Sequence, residues 1–260
     1  MGSRPHNLEA TSGGLLLVAT WGEDAVSVVD PGDDPPTVRR IQLGAPPHDV
    51  AVAEDGTAYA LSERGLLAHF EPTSGDILET VELSGRPHNL IAAAGSIWIT
   101  DISSRRLFIV GAGLDVRELP ISIVGHALAL RPGTTELWVT PWDGSRTVII
   151  DLGSGEEIAD FEVGEDPSHK HVVFTDDGRE AWISEPASGS IFVVDASTRG
   201  LAERIEIGGH SHHVRIACER AYVTAAPDEL VVLVARGYDV IGRLSAGPGV
   251  HDVELIGPAD

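Results

Sequence analysis

The sequence predicts an all-β chain folded as a β-propeller of six four-stranded blades, with seven the less favoured number. Three observations carry this reading. A histidine-bearing stretch recurs at intervals of 38–44 residues. Four short strand signals fall inside each interval, and no segment of any length shows the 3.6-residue periodicity of an amphipathic helix. A period near 40 with four strands per unit is the pattern of propeller blades, and helical repeats of that length would need helical periodicity.

The recurring stretch is clearest as Arg86-Pro87-His88-Asn89-Leu90, nearly identical to Arg4-Pro5-His6-Asn7-Leu8 at the N-terminal end. It returns as Pro47-His48-Asp49-Val50, Gly125-His126-Ala127-Leu128, Ser168-His169-Lys170-His171-Val172, Ser211-His212-His213-Val214 and Val250-His251-Asp252-Val253. Ten of the eleven histidines lie in these stretches or just before them, and His69 alone lies elsewhere. Six complete units follow, 5–46, 47–86, 87–124, 125–167, 168–210 and 211–249, within a single domain spanning 1–260. Residues 250–260 repeat the first strand only, so one end supplies a surplus copy, and either His6 or His251 stands at the axis.

Within the second unit the strands are expected at Asp49 to Ala53, Thr57 to Ser62, Leu66 to Phe70 and Ile77 to Leu83. Glu54-Asp55-Gly56 and Pro72-Thr73-Ser74-Gly75 supply turns between them. Second strands recur at Leu15 to Thr20, Ile97 to Thr100, Leu137 to Thr140, Ala181 to Ser184 and Ala221 to Thr224. Third strands recur at Ala25 to Val29, Leu107 to Val110, Thr147 to Ile150, Ile191 to Val194 and Leu230 to Val234. Asp30, Asp151 and Asp195 close three of them, as suits the turn preference of Asp.

The segments Ala221-Tyr222-Val223-Thr224, Ala25-Val26-Ser27-Val28-Val29-Asp30 and Ile191-Phe192-Val193-Val194-Asp195 resemble the YVTN-repeat β-propeller family, over nearly the whole chain. The resemblance implies the fold. It selects no function, because that family holds binding proteins, enzymes and exported proteins alike. One departure stands out: where the family has asparagine after the second strand, this chain has Trp21, Glu63, Asp101, Pro141, Glu185 and Ala225.

Composition narrows the partners. A formal charge of −22 argues against nucleic acid and against an anionic membrane surface, since both need a basic footprint. No apolar run approaches the roughly 18 residues of a membrane-spanning helix. The single cysteine, Cys218, rules out an intramolecular disulfide and reads as a small buried hydrophobe in an alternating strand. No signal peptide is visible. Met1-Gly2-Ser3 has the look of a cloning remnant, which is compatible with a removed leader and leaves localisation open.

In a blade the first strand lines the central channel, and its start lies beside the end of the second strand. His6, His48, His88, His126, Lys170, His212 and His251 are therefore expected in one ring at the mouth of the channel. The next column is Asn7, Asp49, Asn89, Ala127, His171, His213 and Asp252, and strand alternation is expected to let only one column face inward. Second-strand ends add Glu63, Asp101 and Glu185, with Trp21 and Trp142 as an apolar wall for a small ligand. Converging imidazoles suit a divalent transition metal, Fe, Cu, Zn or Ni, rather than Mg or Ca. The expected ligands are His6, His48, His88, His126, His171, His212, His213 and His251, with Asp101, Glu185 and Lys170 as catalytic residues. Lys170 would hold a substrate carboxylate or reach to solvent.

These residues point to a metal-dependent enzyme acting on a small molecule, by oxygenase, lyase or hydrolase chemistry. The alternative is a non-enzymatic module that binds a metal, a ligand or a protein partner. The plainer reading is that histidine is repeat consensus that caps the turn into the first strand. The extra histidines His169, His171, His210 and His213 are more than a turn needs.

Overall fold

The computed structural model describes residues 4–164, 169–226, 229–234, 236–247 and 249–256. The fold is a β-propeller of six four-stranded blades, each an antiparallel meander with its strands in chain order. The blades are Pro5–Ala10, Leu16–Thr20, Ala25–Asp30, Thr37–Gln42; Asp49–Val52, Ala58–Leu61, Leu66–Phe70, Ile77–Glu82; and Pro87–Ala93, Ser96–Asp101, Arg106–Val110, Val116–Pro120. Then come Gly125–Leu130, Glu136–Pro141, Arg146–Asp151, Glu157–Glu162; His171–Phe174, Glu180–Glu185, Ser190–Asp195, Leu201–Glu206; and His210–Ala217, Arg220–Ala226, Glu229–Val234, Val240–Ser245. Ser168, in the fifth histidine stretch, lies outside the described residues. No described helix is long and apolar enough to cross a membrane. The chain forms two compact units, 4–120 with 254–256 carrying blades 1–3, and 121–253 carrying blades 4–6.

The core lies between neighbouring blades. In one cluster Leu17, Ala19, Val26 and Val28 of blade 1 interleave with Val50, Ala58, Ala60 and Phe70 of blade 2. Trp138 and Ile149 of blade 4 meet Ala181, Ile183 and Phe192 of blade 5 in another. The second and third strands are sandwiched on both faces, which is why they read as continuous apolar runs. Fourth strands such as Thr37–Gln42 are largely exposed and mix charged with apolar residues.

In blades 3–6 the first strand is tied to its partner by a hydroxyl. Thr100, Thr140, Ser184 and Thr224 accept the backbone N–H of Asn89, Ala127, His171 and His213 on Oγ. The hydroxyls of Thr140 and Thr224 donate onward to the carbonyls of Lys170 (2.5 Å) and His251 (2.9 Å). The threonine that ends the repeated Val-Thr signature is thus a stitch between one unit of the repeat and the next.

Three expectations need correcting. Strand alternation does not separate the two histidine columns, because a bulge interrupts the first strand of blades 1, 3, 4 and 6. In blade 6 Ser211 pairs with Ala225 and Val214 with Val223, so His212 and His213 both stand opposite Thr224. An extra residue on one strand cancels the alternation locally. Cys218 is exposed rather than buried. It forms the two-residue turn of a hairpin with Glu219, at φ 51° and 60°. The segment 250–256 forms no strand, and His251 is held through the Thr224 hydroxyl instead of a ladder.

Thr140→Val would leave a buried carbonyl and a buried N–H each short of a partner. We expect a loss of about 2 kcal/mol in urea denaturation with the slope unchanged.

Candidate metal centre

The first-column histidines begin as structural donors. The Nδ1–H of His6 donates to the carbonyl of His48 (3.0 Å), that of His48 to the carbonyl of His88 (2.9 Å), and that of His126 to the carbonyl of Lys170 (2.9 Å). Each bond joins equivalent positions of successive blades. A carbonyl only accepts, so in the neutral ring the lone pair falls on Nε2. The His6, His48 and His88 rings lie 4.0 and 4.1 Å apart in sequence around blades 1–3. His69 is elsewhere, stacked on Tyr59 at 4.4 Å and bonded to Thr57.

In the first unit His48, Glu63 and His88 bring one ligand atom each within 4.8 Å of the others. Glu63 is the addition that sequence reasoning had placed near the site without making it a ligand. Its Oε1 accepts from His88 Nδ1 (2.8 Å) and its Oε2 from Arg86 (2.8 Å). The hydrogen bond from His88, together with Arg86, outweighs burial and holds the carboxyl at about 2. Its own residues already satisfy this group.

The second unit is different. His171, His212 and His213 also offer one ligand nitrogen each within 4.8 Å of one another. His171 Nε2, His212 Nδ1 and His213 Nε2 are buried, and among the described residues none has a hydrogen-bond partner. Orphaned nitrogens at one place are costly unless something fills the gap. One tautomer is fixed by a neighbour. His213 Nδ1 donates to Asp252 Oδ1 (3.1 Å), which also receives the Val253 N–H. That leaves the lone pair of His213 on the orphaned Nε2. His212 Nε2 lies 3.2 Å from His169 Nε2, a pair in which either ring can be the donor; with His212 as donor its lone pair falls on the orphaned Nδ1.

Burial, then the neighbouring imidazoles, push His171 and His212 well below the ordinary histidine value, so both are neutral bases. Burial alone would raise Asp252, but its contact with His213, with Arg215 and the Val253 N–H, holds it below the usual carboxylate range. His126 stands 4.6 Å from the His171 ring, and His251 stands 4.4 Å from His212 and 4.9 Å from His213. Trp142 packs on His126 (5.3 Å) and stacks on His169 (5.7 Å), while Trp21 is 43% exposed beneath the Arg4 guanidinium.

The three expected catalytic residues have other employment. Lys170 neither reaches solvent nor offers a free ammonium: it is fully buried, 3.2 Å from Glu185 Oε1 and bonded to the Gly144 carbonyl. Glu185 also accepts from Ser188 (2.7 Å), and a Cβ on Gly164, at φ +74°, would strike its Oε1. Asp101 is fully buried and accepts from the Arg86 and Ser103 N–H groups, the Ser103 and Ser104 hydroxyls and Arg106. These are anchors of the loops around the site.

No protein-family model and no curated protein matches this sequence. Solved structures do match its fold. Dihydro-heme d1 dehydrogenase NirN, in complex with DHE, is similar over 95% of this chain, with TM-score 0.71 and 16% identity, and the chain spans 58% of that protein's length. Kuenenia stuttgartiensis hydrazine synthase matches over 94% of this chain and 87% of its own, with TM-score 0.82 and 13% identity. The Cps50 (Swd1) β-propeller domain of Myceliophteria thermophila gives TM-score 0.79 at 12% identity, covering 95% of this chain and 88% of that one. At such identities the likeness is one of fold: a β-propeller over nearly the whole chain.

Two expectations follow. Lys170→Met leaves Glu185 buried and unpaired, and should cost roughly 3–5 kcal/mol in denaturant titration, much of it regained in Lys170→Met/Glu185→Leu. The Glu63 carboxyl is held from 4.5 down to about 2, so its stabilisation is complete above about pH 5 and fades as the pH falls toward 2. The difference in melting temperature between the protein and Glu63→Gln should be widest near neutrality and close over that window.

Proposed function

We propose that this is a YVTN-type repeat propeller carrying a divalent transition metal on His171, His212 and His213, and that it is a metal-dependent enzyme acting on a small molecule. The observation that carries the reading is the convergence of three buried imidazole nitrogens without protein partners. Two of these rings are aimed by fixed neighbours, Asp252 and His169. Carboxylate–histidine–metal pairing of this kind is a common way to fix a ligand and raise its basicity. An all-nitrogen donor set suits Fe(II), Cu, Zn or Ni.

Three protein ligands leave coordination positions for water or substrate. A bound metal would supply Lewis acidity or redox chemistry there, open to oxygenase, lyase or hydrolase reactions alike. His126 and His251 stand within ring contact and can move a proton or complete a four-nitrogen set. Trp142, stacked on His169, gives the site one apolar side. The His48–Glu63–His88 group is the weaker candidate, because Arg86 already pairs with the carboxylate.

A second reading is a non-enzymatic module that binds a metal, ligand or protein. It draws support from the first-column histidines, whose Nδ1 bonds have a structural purpose of their own. The fold neighbours do not choose: they include a dehydrogenase, a hydrazine synthase and the Cps50 (Swd1) β-propeller domain. The charge of −22 disfavours nucleic acid in either case.

The test is elemental analysis of protein made without a polyhistidine tag, followed by Co(II) or Cu(II) reconstitution. We expect about one metal per chain, lost in His213→Ala and in His171→Ala, kept in His6→Ala, and bound roughly 10–100-fold more weakly in Asp252→Asn. No uptake by the parent, or undiminished uptake by His213→Ala, would end the metal reading. Azide should shift the spectrum of the loaded protein if a position is open, and an unmoved spectrum would favour the binding module.

A further inference from the structure

A second cleft of about 370 Å³ lies in the first unit, at the opposite end of the blades, between blades 2 and 3. The stacked pair Tyr59 and His69 lines it, with Glu54 and Asp55, and its blade 3 wall is mostly Ala and Gly. Among the described residues its lining contains no Lys or Arg.

Blade 4 shows one way such a space is filled. Ala53 opens the turn after its first strand: its N–H donates to the Thr57 carbonyl, and its own carbonyl accepts from Gly56. Arg131 holds the same place in blade 4, bonded to the Glu136 carbonyl and accepting from Thr134. The Arg131 guanidinium crosses to blade 5, to the Gly178 carbonyl (2.9 Å) in its first loop and the Ser197 hydroxyl (3.1 Å) in its third, with Glu136 at 3.2 Å. Gly95 and Gly113, from those same two loops of blade 3, line the cleft beside Ala53. Ala53, like Thr11 and Thr175 at the same turn of blades 1 and 5, sends no guanidinium across, and between blades 2 and 3 the space is open. The carboxylates of Glu54 and Asp55 line it beside Tyr59 and His69. Asp55 is fixed by the hydroxyl (2.7 Å) and N–H (3.0 Å) of Thr57, and that hydroxyl oxygen accepts from His69 Nε2 (2.9 Å). Aromatic faces and carboxylates together select a flat cation over a neutral or anionic molecule.

We infer that this cleft is a binding site for a small molecule bearing a guanidinium or amidinium group, which takes the place that Arg131 fills between blades 4 and 5. It is independent of the metal centre.

The experiment is calorimetric titration of the full chain with benzamidine, and with benzamide as its uncharged counterpart. We expect saturable binding of benzamidine, about tenfold tighter than benzamide. Ala53→Arg should abolish it by filling the cleft from within. Glu54→Gln, at a surface position that leaves folding untouched, should weaken it roughly twofold to fivefold. No saturable heat with the parent up to roughly 10 mM, equal binding of benzamide, or unchanged binding by both variants would overturn the assignment.

Discussion

The hydrogen bond from a first-column imidazole to the backbone carbonyl of the next blade is the interaction on which the site depends. It settles the tautomer of His6, His48 and His126 and joins successive blades at their histidine-bearing end. The threonine hydroxyls run parallel to it, from Thr140 to Lys170 and from Thr224 to His251. Together they make the end of each blade a polar layer beneath which the inter-blade cores begin.

Against that background the blade 5 and 6 histidines stand out. His126 spends its Nδ1–H on the fold, as His6 and His48 do, whereas His213 spends its own on Asp252, and His212 turns to His169. The bulge in blade 6 brings His212 and His213 to the same side, and blade 5 contributes His171 without one. Three imidazole nitrogens there have no hydrogen-bond partner among the described residues, and burial keeps His171 and His212 neutral.

Much of the fold was legible because propeller blades write themselves locally. The third strand Leu66–Phe70 was found to the residue, from two turn signals and an alternating run. The second strands were readable from β-branched and aromatic residues ending in Thr. What the sequence could not show was the bulge, a one-residue slip that leaves no compositional mark yet decides which side chains meet. Cys218 was misread because the two-residue turn Cys218-Glu219 lacks the usual Asn-Gly signal. Glu185 and Lys170 were legible as charges near the site. Their pairing with each other, with Gly164 packed against them, depends on a contact between the blade 5 strands and the loop before them.

In the blade-to-blade bonds from His6, His48 and His126 the acceptor is a main-chain carbonyl. Such a bond constrains the donor residue and is blind to the side chain of the acceptor. In evolutionary terms, a copy of the repeat can lose its own column histidine and still receive the bond from its predecessor. Blade 5 is that case: Lys170 accepts from His126 through its backbone while its ammonium is buried on Glu185. A repeat relieved of the donor duty is where drift is cheapest, and His169 and His171 flank that relieved position.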